Sequence, residues 1–432
     1  MADKEIKGQT PQEFFTLKRK IIFTIATVLT IAISFTLGFF VKVWTTPKEI
    51  SSLEWVISMI GSHYYCEEDG VVKEFTAEDY AKAISDGLLD KYSKYYTPEE
   101  HSDVVKTNKG NYFGIGVAHK NTEVKPIIYR VLGNSPAEKA GLMAGDLITA
   151  GEFNGVKENL ESAHDALNYI AKREENQEFT LYFIRNDIEQ SVKIKRQVYI
   201  TSYVKYEDSG KEGVFRSEGT NPLTLVEVER GDGLLSLDNQ TAIISLSQFE
   251  GGAADQMEQA LSLMVKRNRS KLILDLRSNG GGNMRVLCDI ATNFIKKNNA
   301  VIYYAVDKNG KSTTYTMGRS KFQNSITSIC VLADGNSASA TECLIGAMLY
   351  YKDCFDINKL VIEKTNGENK TFGKGIMQTT YKNVVSQEAI KLTTAYVYQP
   401  DNKTCIHGKG ISTIESNAVE ILKGLQRALE II

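Results

Sequence analysis

Gly335-Asn336-Ser337-Ala338-Ser339-Ala340-Thr341-Glu342 is the stretch from which the rest of this chain is read. An apolar run, Ile329-Cys330-Val331-Leu332-Ala333, leads into it and has the character of a buried strand. A helical pattern leads out, with Ala340, Cys343, Leu344, Ala347 and Met348 recurring at helical spacing. Small residues therefore occupy a sharp strand-to-helix turn. Such a turn presents a hydroxyl beside the unbonded N–H groups of a helix start. A nucleophilic serine needs that setting, because a tetrahedral oxyanion must meet donors already in place. The same residues also fit an ordinary Ser/Thr helix cap, and this stretch alone leaves the two readings open.

Other glycine-rich turns flank the serine turn on both sides. Leu272-Ile273-Leu274-Asp275-Leu276 reads as a buried strand and runs into Arg277-Ser278-Asn279-Gly280-Gly281-Gly282-Asn283. Three successive glycines free the backbone to aim its N–H groups at an anion. The spacing fits neither a P-loop nor a dinucleotide loop, which leaves an oxyanion site or a plain tight turn. Downstream stands Thr371-Phe372-Gly373-Lys374-Gly375-Ile376-Met377-Gln378. A lysine deprotonates a serine only when burial lowers its pKa toward neutrality. Gln378, four residues beyond Lys374, could hold it in place. Together with the serine turn, Lys374 makes a Ser-Lys arrangement, a variant of triad logic.

Earlier in the chain, Tyr112-Phe113-Gly114-Ile115-Gly116-Val117 places two glycines between apolar residues. It is followed by Ser135-Pro136-Ala137-Glu138-Lys139-Ala140-Gly141-Leu142 and Gly145-Asp146-Leu147-Ile148. These stretches resemble a PDZ domain, in which Phe113, Gly114, Ile115 and Gly116 would be the loop that receives a peptide carboxylate. Thr201 to Asn239 reads as a polar connector without chemistry. Strand–helix alternation from Thr241 onward implies an α/β core.

The N-terminal segment has a different character. Residues 1–20 are polar and end in Lys18-Arg19-Lys20, whereas Ile21 to Phe40 carries no charge and the apolar character extends to Trp44. About 20 such residues span a bilayer as a helix, and the preceding basic cluster predicts a cytoplasmic N-terminus. An uncleaved anchor fits better than a signal peptide, since no small-residue cleavage site follows. Residues 45–110 read as amphipathic helices, with Thr97-Pro98-Glu99-Glu100 as a helix start.

A formal net charge of −2 gives a nucleic-acid partner no electrostatic support. The six cysteines include no C-x-x-C pair and no zinc-type spacing with histidine, so no metal or cofactor is expected. Cys288, Cys330, Cys343 and Cys354 lie in or near apolar patterns and read as buried free thiols, although disulfides stay open. His407 is an alternative base and Cys343 an alternative nucleophile.

Taken jointly, these motifs resemble the C-terminal processing peptidases, also called tail-specific proteases. The family's LDLR-N-x-GG, SASASE, T-x-GKG-x-x-Q and I-x-G-x-GI motifs correspond to Leu274–Gly282, Ser337–Glu342, Thr371–Gln378 and Ile406–Ile411. The resemblance implies an α/β multidomain chain: a cytoplasmic tail (1–20), a transmembrane helix (21–44), a helical region (45–110), a PDZ domain (111–200) and a crotonase-like serine protease core with its cap (201–432). It implies Ser339 as nucleophile, Lys374 as base and Gln378 as its orienting partner, with Ala340 and Gly281 as oxyanion-hole amides and Gly280 as the weaker choice for the second. The expected partners are protein C-termini and the membrane, with an oligomer or adaptor open; the catalytic part would lie outside the cytoplasm. Two departures stand out: Thr341 replaces a serine of the motif, and Glu363 to Lys370 is longer than usual, in the manner of an added hairpin.

Overall fold

The computed structural model describes residues 19, 22–37, 48–64, 67–68, 71–72, 74–119, 125–217, 222–229, 236–322 and 324–432, in two compact units that divide after Gly87. In the first unit residues 22–37 are helical, and their apolar side chains, such as Phe23, Val28 and Phe35, are exposed. The remainder of the expected anchor, residues 21 and 38–44, lies outside the described residues, as do residues 1–18 and 20 of the tail. Among the described residues no helix is long and apolar enough to cross a membrane. Helix α1 (Lys48–His63) follows, and α2 (Ala77–Leu88) ends at the junction between the units.

The second unit opens with strand β1 (Lys94–Tyr96) and α3 (Pro98–Asn108). Thr97 and Glu100 form a reciprocal capping box at the start of α3, with Pro98 in the first turn where its missing N–H is no loss. A small β-rich domain follows. Its sheet comprises β5 (Leu147–Phe153), β6 (Val156–Asn159), β7 (Glu178–Arg185) and β8 (Ile188–Lys195), in the order β8-β7-β5-β6. Beside it lie the pairs β2 (Asn111–Gly114) with β9 (Gln197–Ile200) and β3 (Val117–Ala118) with β4 (Arg130–Val131), together with the short α4 (Pro136–Lys139) and α5 (Ala163–Ala171). Ile128, Ile148, Leu181 and Ala166 close its core without exposure to water. Because β9 returns to pair with β2, the domain's two ends meet beside the core.

The core is an eight-stranded sheet. Residues 201–239, expected as a connector, instead supply three of its strands: β10 (Val204–Glu207), β11 (Lys211–Arg216) and β12 (Thr224–Glu229). The polar residues that concealed them have partners. Asp208, fully buried, takes hydrogen bonds from Arg267, Arg269 and the Tyr206 hydroxyl. The central strands are β13 (Thr241–Leu246), β14 (Lys271–Asp275), β17 (Ser328–Asp334) and β18 (Leu360–Glu363), ending on β21 (Ala418–Val419), all parallel. Every residue of β17 is buried, as expected for a strand covered on both faces. Helices α6 (Ala253–Lys266), α7 (Met284–Ala291) and α8 (Ala340–Tyr351) cover one face, and α9 (Gly424–Ile431) packs against the other. A second sheet of β15 (Val301–Asp307), β16 (Ser312–Thr316), β19 (Ile376–Lys382) and β20 (Ala389–Tyr398) also takes β1 along β20.

Candidate active site

The serine turn lies at the carboxyl end of β17, where α8 begins. Ser337 is fully buried and its hydroxyl donates to the Leu276 carbonyl at 2.8 Å, so this serine serves the turn. Ser339 is half-buried and has φ 59° and ψ −114°, a left-handed backbone that side chains rarely adopt. The strain is held by neighbours. Asp334 accepts from the N–H groups of Asn336 and Ser337, and also from Ser278 N–H at 3.0 Å, so it joins the serine turn to the glycine loop.

The glycine loop lies against Ser339. A Cβ on Gly281 would sit 2.8 Å from the Ser339 Cβ and 2.9 Å from the Ala340 nitrogen, so only glycine fits. The expected oxyanion amides differ in state. Ala340, at the helix start, makes no N–H hydrogen bond among the described residues. The Gly281 N–H donates to Asn279 Oδ1 at 2.9 Å, whereas that of Gly280 has no acceptor among the described residues.

Glu342, fully buried on α8, ties this turn to the lysine turn. Its carboxylate accepts from the N–H groups of Ser339 (2.9 Å), Gly373 (2.7 Å) and Lys374 (2.9 Å), and from the Thr371 hydroxyl at 2.5 Å. Gly408-Lys409-Gly410, which no glutamine follows at the same spacing, is the bed of the lysine turn. Gly408 N–H donates to the Gly373 carbonyl at 2.9 Å, and a Cβ on Gly373 would meet the Gly410 nitrogen at 2.9 Å. The longer Glu363 to Lys370 segment folds as a tight hairpin in which Thr365 and Glu368 exchange backbone hydrogen bonds. Asn366 and Gly367 take the two positive φ values of its turn, and Thr365 Oγ1 accepts from Gly335 N–H.

Lys374 is half-buried. Burial holds its pKa below the ordinary lysine value, helped by the nearby Lys391 ammonium and opposed by Asp90 and Glu342. Its Nζ lies 4.9 Å from the centroid of the Tyr92 ring. Among the described residues no hydrogen bond joins Lys374 Nζ to Ser339 Oγ or to Gln378. Gln378 Nε2 instead donates to Thr393 Oγ1 at 3.1 Å.

Ser339, Lys374, Gln378, Gly280 and Gly281 line one cavity of about 1040 Å³. Tyr129 and Arg130 reach into it from the β-rich domain, and Glu250 from the core. Burial pushes the Glu250 carboxyl up to about 7. His407 does not line the cavity and packs edge-on against Tyr396. Cys343 is buried and unpaired, and burial raises its thiol pKa, which makes it inert as a nucleophile. The other described cysteines, Cys288, Cys330, Cys354 and Cys405, are also free.

Phe113, Gly114, Ile115 and Gly116 lie apart from that cavity. Phe113 and Gly114 pair with Val198 and Gln197, and the Phe113 ring sits under the Arg196 guanidinium at 4.3 Å. Gly116 has φ 87°, and a Cβ there would meet Ser135 at 2.2 Å. Among the described residues, β3, immediately beyond, pairs on one side only, with β4.

Sequence reasoning missed Glu342 as the bridge and the role of Gly408–Gly410. A signal existed for the first: an acidic residue three positions after a helix-capping serine is the pattern of a capping box.

A strained serine at a strand-to-helix turn of an α/β core, joined to a PDZ-like domain, is the arrangement expected of a serine-type peptidase with a PDZ domain. Residues 240–414 match Peptidase family S41 and residues 114–195 match the PDZ domain family. The motif resemblance to the C-terminal processing peptidases thus coincides with a Peptidase family S41 match over the core and a PDZ match before it. A probable CtpA-like serine protease of Staphylococcus aureus (strain COL) is 28% identical over 371 residues, covering 85% of this chain and 64% of the relative. A protein with the same description from Staphylococcus epidermidis is 26% identical over 366 residues, covering 84% and 64%. The chain thus spans a little under two thirds of the length of these relatives. Among solved structures, the photosystem II D1 C-terminal processing protease matches at 19% identity with a TM-score of 0.48, covering 85% of this chain and 86% of that one.

Proposed function

We propose that this chain is an endopeptidase that cuts proteins at or near their C-terminus through a Ser-Lys mechanism. The neutral Lys374 amine takes the Ser339 hydroxyl proton as Oγ attacks the scissile carbonyl carbon. The oxyanion is met by the Ala340 N–H and by an amide of the glycine loop, from Gly280 as it stands or from Gly281 once released by Asn279. Lys374 then returns the proton to the leaving amine. Water, activated by the same lysine, hydrolyses the acyl-enzyme. Gln378 acts through Thr393 and the strand that carries both it and Lys374's neighbours.

The observation that carries this reading is the convergence of Ser339, Lys374 and the glycine loop on one cavity, with Glu342 bonded to both turns. Resting sites are often looser than engaged ones, so the unmade Lys374–Ser339 bond is compatible with gating by substrate. The Phe113–Gly116 loop and the open edge of β3 suit capture of an extended C-terminal peptide. We assign the catalytic part to the outside of the cytoplasm, anchored through residues 21–44. The charge-free run after Lys18-Arg19-Lys20 and the exposed apolar side chains of residues 22–37 support this.

The test is cleavage of a protein substrate bearing an apolar C-terminal tail, followed by mass spectrometry, for the wild type, Ser339→Ala and Lys374→Ala. Both variants are expected to lose cleavage; retained cleavage in either ends the Ser-Lys reading. The unmade Lys374–Ser339 bond also favours a second reading, a scaffold that binds C-terminal peptides without hydrolysis. Fluorophosphonate labelling at Ser339 that disappears in Lys374→Ala argues against it. Carbonate extraction of membranes addresses the anchor: release of the full-length chain into the soluble fraction would exclude it.

A further inference from the structure

The Ser-Lys chemistry leaves one neighbour of the base without a role. Asp90 to Tyr96 precede the PDZ domain in sequence by some distance from Lys374, yet this segment forms one wall of the lysine's surroundings. The half-buried Tyr92 ring faces Lys374 Nζ at 4.9 Å from its centroid, and Lys91 Nζ lies 5.1 Å from the same centroid. The backbone that carries the ring is pinned on both sides. Asp90 Oδ1 accepts the N–H groups of Tyr92 (3.0 Å) and Ser93 (2.9 Å). Ser93 Oγ accepts from Thr393 N–H at 2.9 Å, and Thr393 Oγ1 is the atom to which Gln378 donates. β1 then continues along β20, with Lys94 opposite Lys391.

Charged and polar groups meet Lys374 from three elements: Asp90 and Tyr92 on this segment, Glu342 on α8 and Lys391 on β20. A ring face attracts an ammonium and not a neutral amine. The amine rests toward that face and makes no hydrogen bond to Ser339 Oγ. Tyr96 and Lys391, from the same pair of strands, line the cavity with Ser339.

We propose that Tyr92 is a positioning residue of the proteolytic site, its ring face holding the Lys374 ammonium in a resting station that the amine leaves to reach Ser339. The proposal rests on the Ser-Lys reading for its effect on rate, but the hold itself is a property of the amine. The segment that carries Tyr92 runs through α3 into β2, so the chain that faces the base continues directly into the candidate peptide loop.

The sign of the effect follows from the attraction. Tyr92 favours the charged lysine, so removing the ring face lowers the Lys374 pKa. Two quantities are measured against pH on full-length Tyr92→Leu, Tyr92→Phe and Tyr92→Trp: kcat/KM on a tailed peptide, and the rate of Lys374 acylation by an amine-reactive ester, read by peptide mass spectrometry. In Tyr92→Leu both profiles are expected to move about half to one unit toward acid. Tyr92→Phe keeps the ring face and stays within about 0.2 unit of the wild type, while Tyr92→Trp moves toward alkali. Unmoved profiles in both Leu and Trp variants, or a Phe variant that shifts as far as Leu, overturn the proposal. Should Lys374→Ala remain active, the Ser-Lys reading fails, and the acylation profile still decides whether Tyr92 holds the amine.

Discussion

Ser339 and Lys374 are both costly residues where they stand, for different reasons. Ser339 holds φ 59°, which glycine adopts freely and other residues do not. Ser339→Gly and Ser339→Ala should both be inactive, but the glycine variant should be more stable by about 1 kcal/mol in denaturant unfolding. Equal stability would mean the turn is unstrained. Lys374 has a pKa below its ordinary 10.5, lowered first by burial. Between the lowered folded value and 10.5 the unfolded chain binds more protons, so this residue's contribution to stability falls as pH drops through that window. Lys374→Met should therefore raise Tm at pH 7, with the advantage vanishing above about pH 10.5. A lower Tm for the methionine variant at pH 7 would contradict the burial argument. Activity runs with the same group: the rate should climb with pH as the amine loses its proton.

At the scale of elements, the active geometry depends on two turns from different sheets being held together. β17 and α8 supply the serine turn, while the approach to β19 supplies the lysine turn. Glu342 accepts donors from both. Glu342→Gln keeps the size but replaces one acceptor oxygen with an amide NH2, a donor that faces backbone N–H donors. The expected outcome is a loss of about 2–4 kcal/mol of stability, since hydrogen bonds to a charged group are worth about 1.5–3 kcal/mol each and a buried donor is left unpaired. The kcat should fall more than KM worsens, because Ser339 and Lys374 are displaced and the peptide groove is not. Wild-type kcat in a folded Glu342→Gln variant would show that the turns hold their places without this carboxylate. The longer segment takes the form of the added hairpin: it closes on itself at Asn366–Gly367 and braces Gly335 through Thr365.

For the second unit as a whole, the cavity brings the peptidase core and the PDZ domain to one site. Arg130 enters from the PDZ side, and its Nε is buried with no hydrogen-bond partner among the described residues. Glu250 enters from the core with a carboxyl raised by burial from 4.5 to about 7. The unfolded chain loses that proton first, so stability should decline as pH rises from about 4.5 to 7 on account of this group. Glu250→Gln should flatten the decline in urea midpoints measured over that range. An unchanged slope would place the carboxyl in a wetter setting than the cavity suggests.

The sequence by itself determined the chemistry-bearing motifs and the α/β alternation. Glycine triplets, a serine between alanines at a strand's end and a lysine between glycines are local patterns that short-range sterics make legible. The PDZ stretch is read from its resemblance to that domain family, and Gly114, Gly116, Gly141 and Gly145 take positive φ there. The strands of residues 201–239 were not, because their charged residues are partnered only in three dimensions, as Asp208 is by Arg267 and Arg269. Tertiary structure alone decided which serine is half-exposed, which glycine amide is already bonded, and that Gly408–Gly410 beds the lysine turn. It alone placed Tyr92 over Lys374 across more than half the chain. Contacts between residues distant in sequence leave no period or spacing to read; they exist only once the sheets have closed and burial has fixed each group's partners.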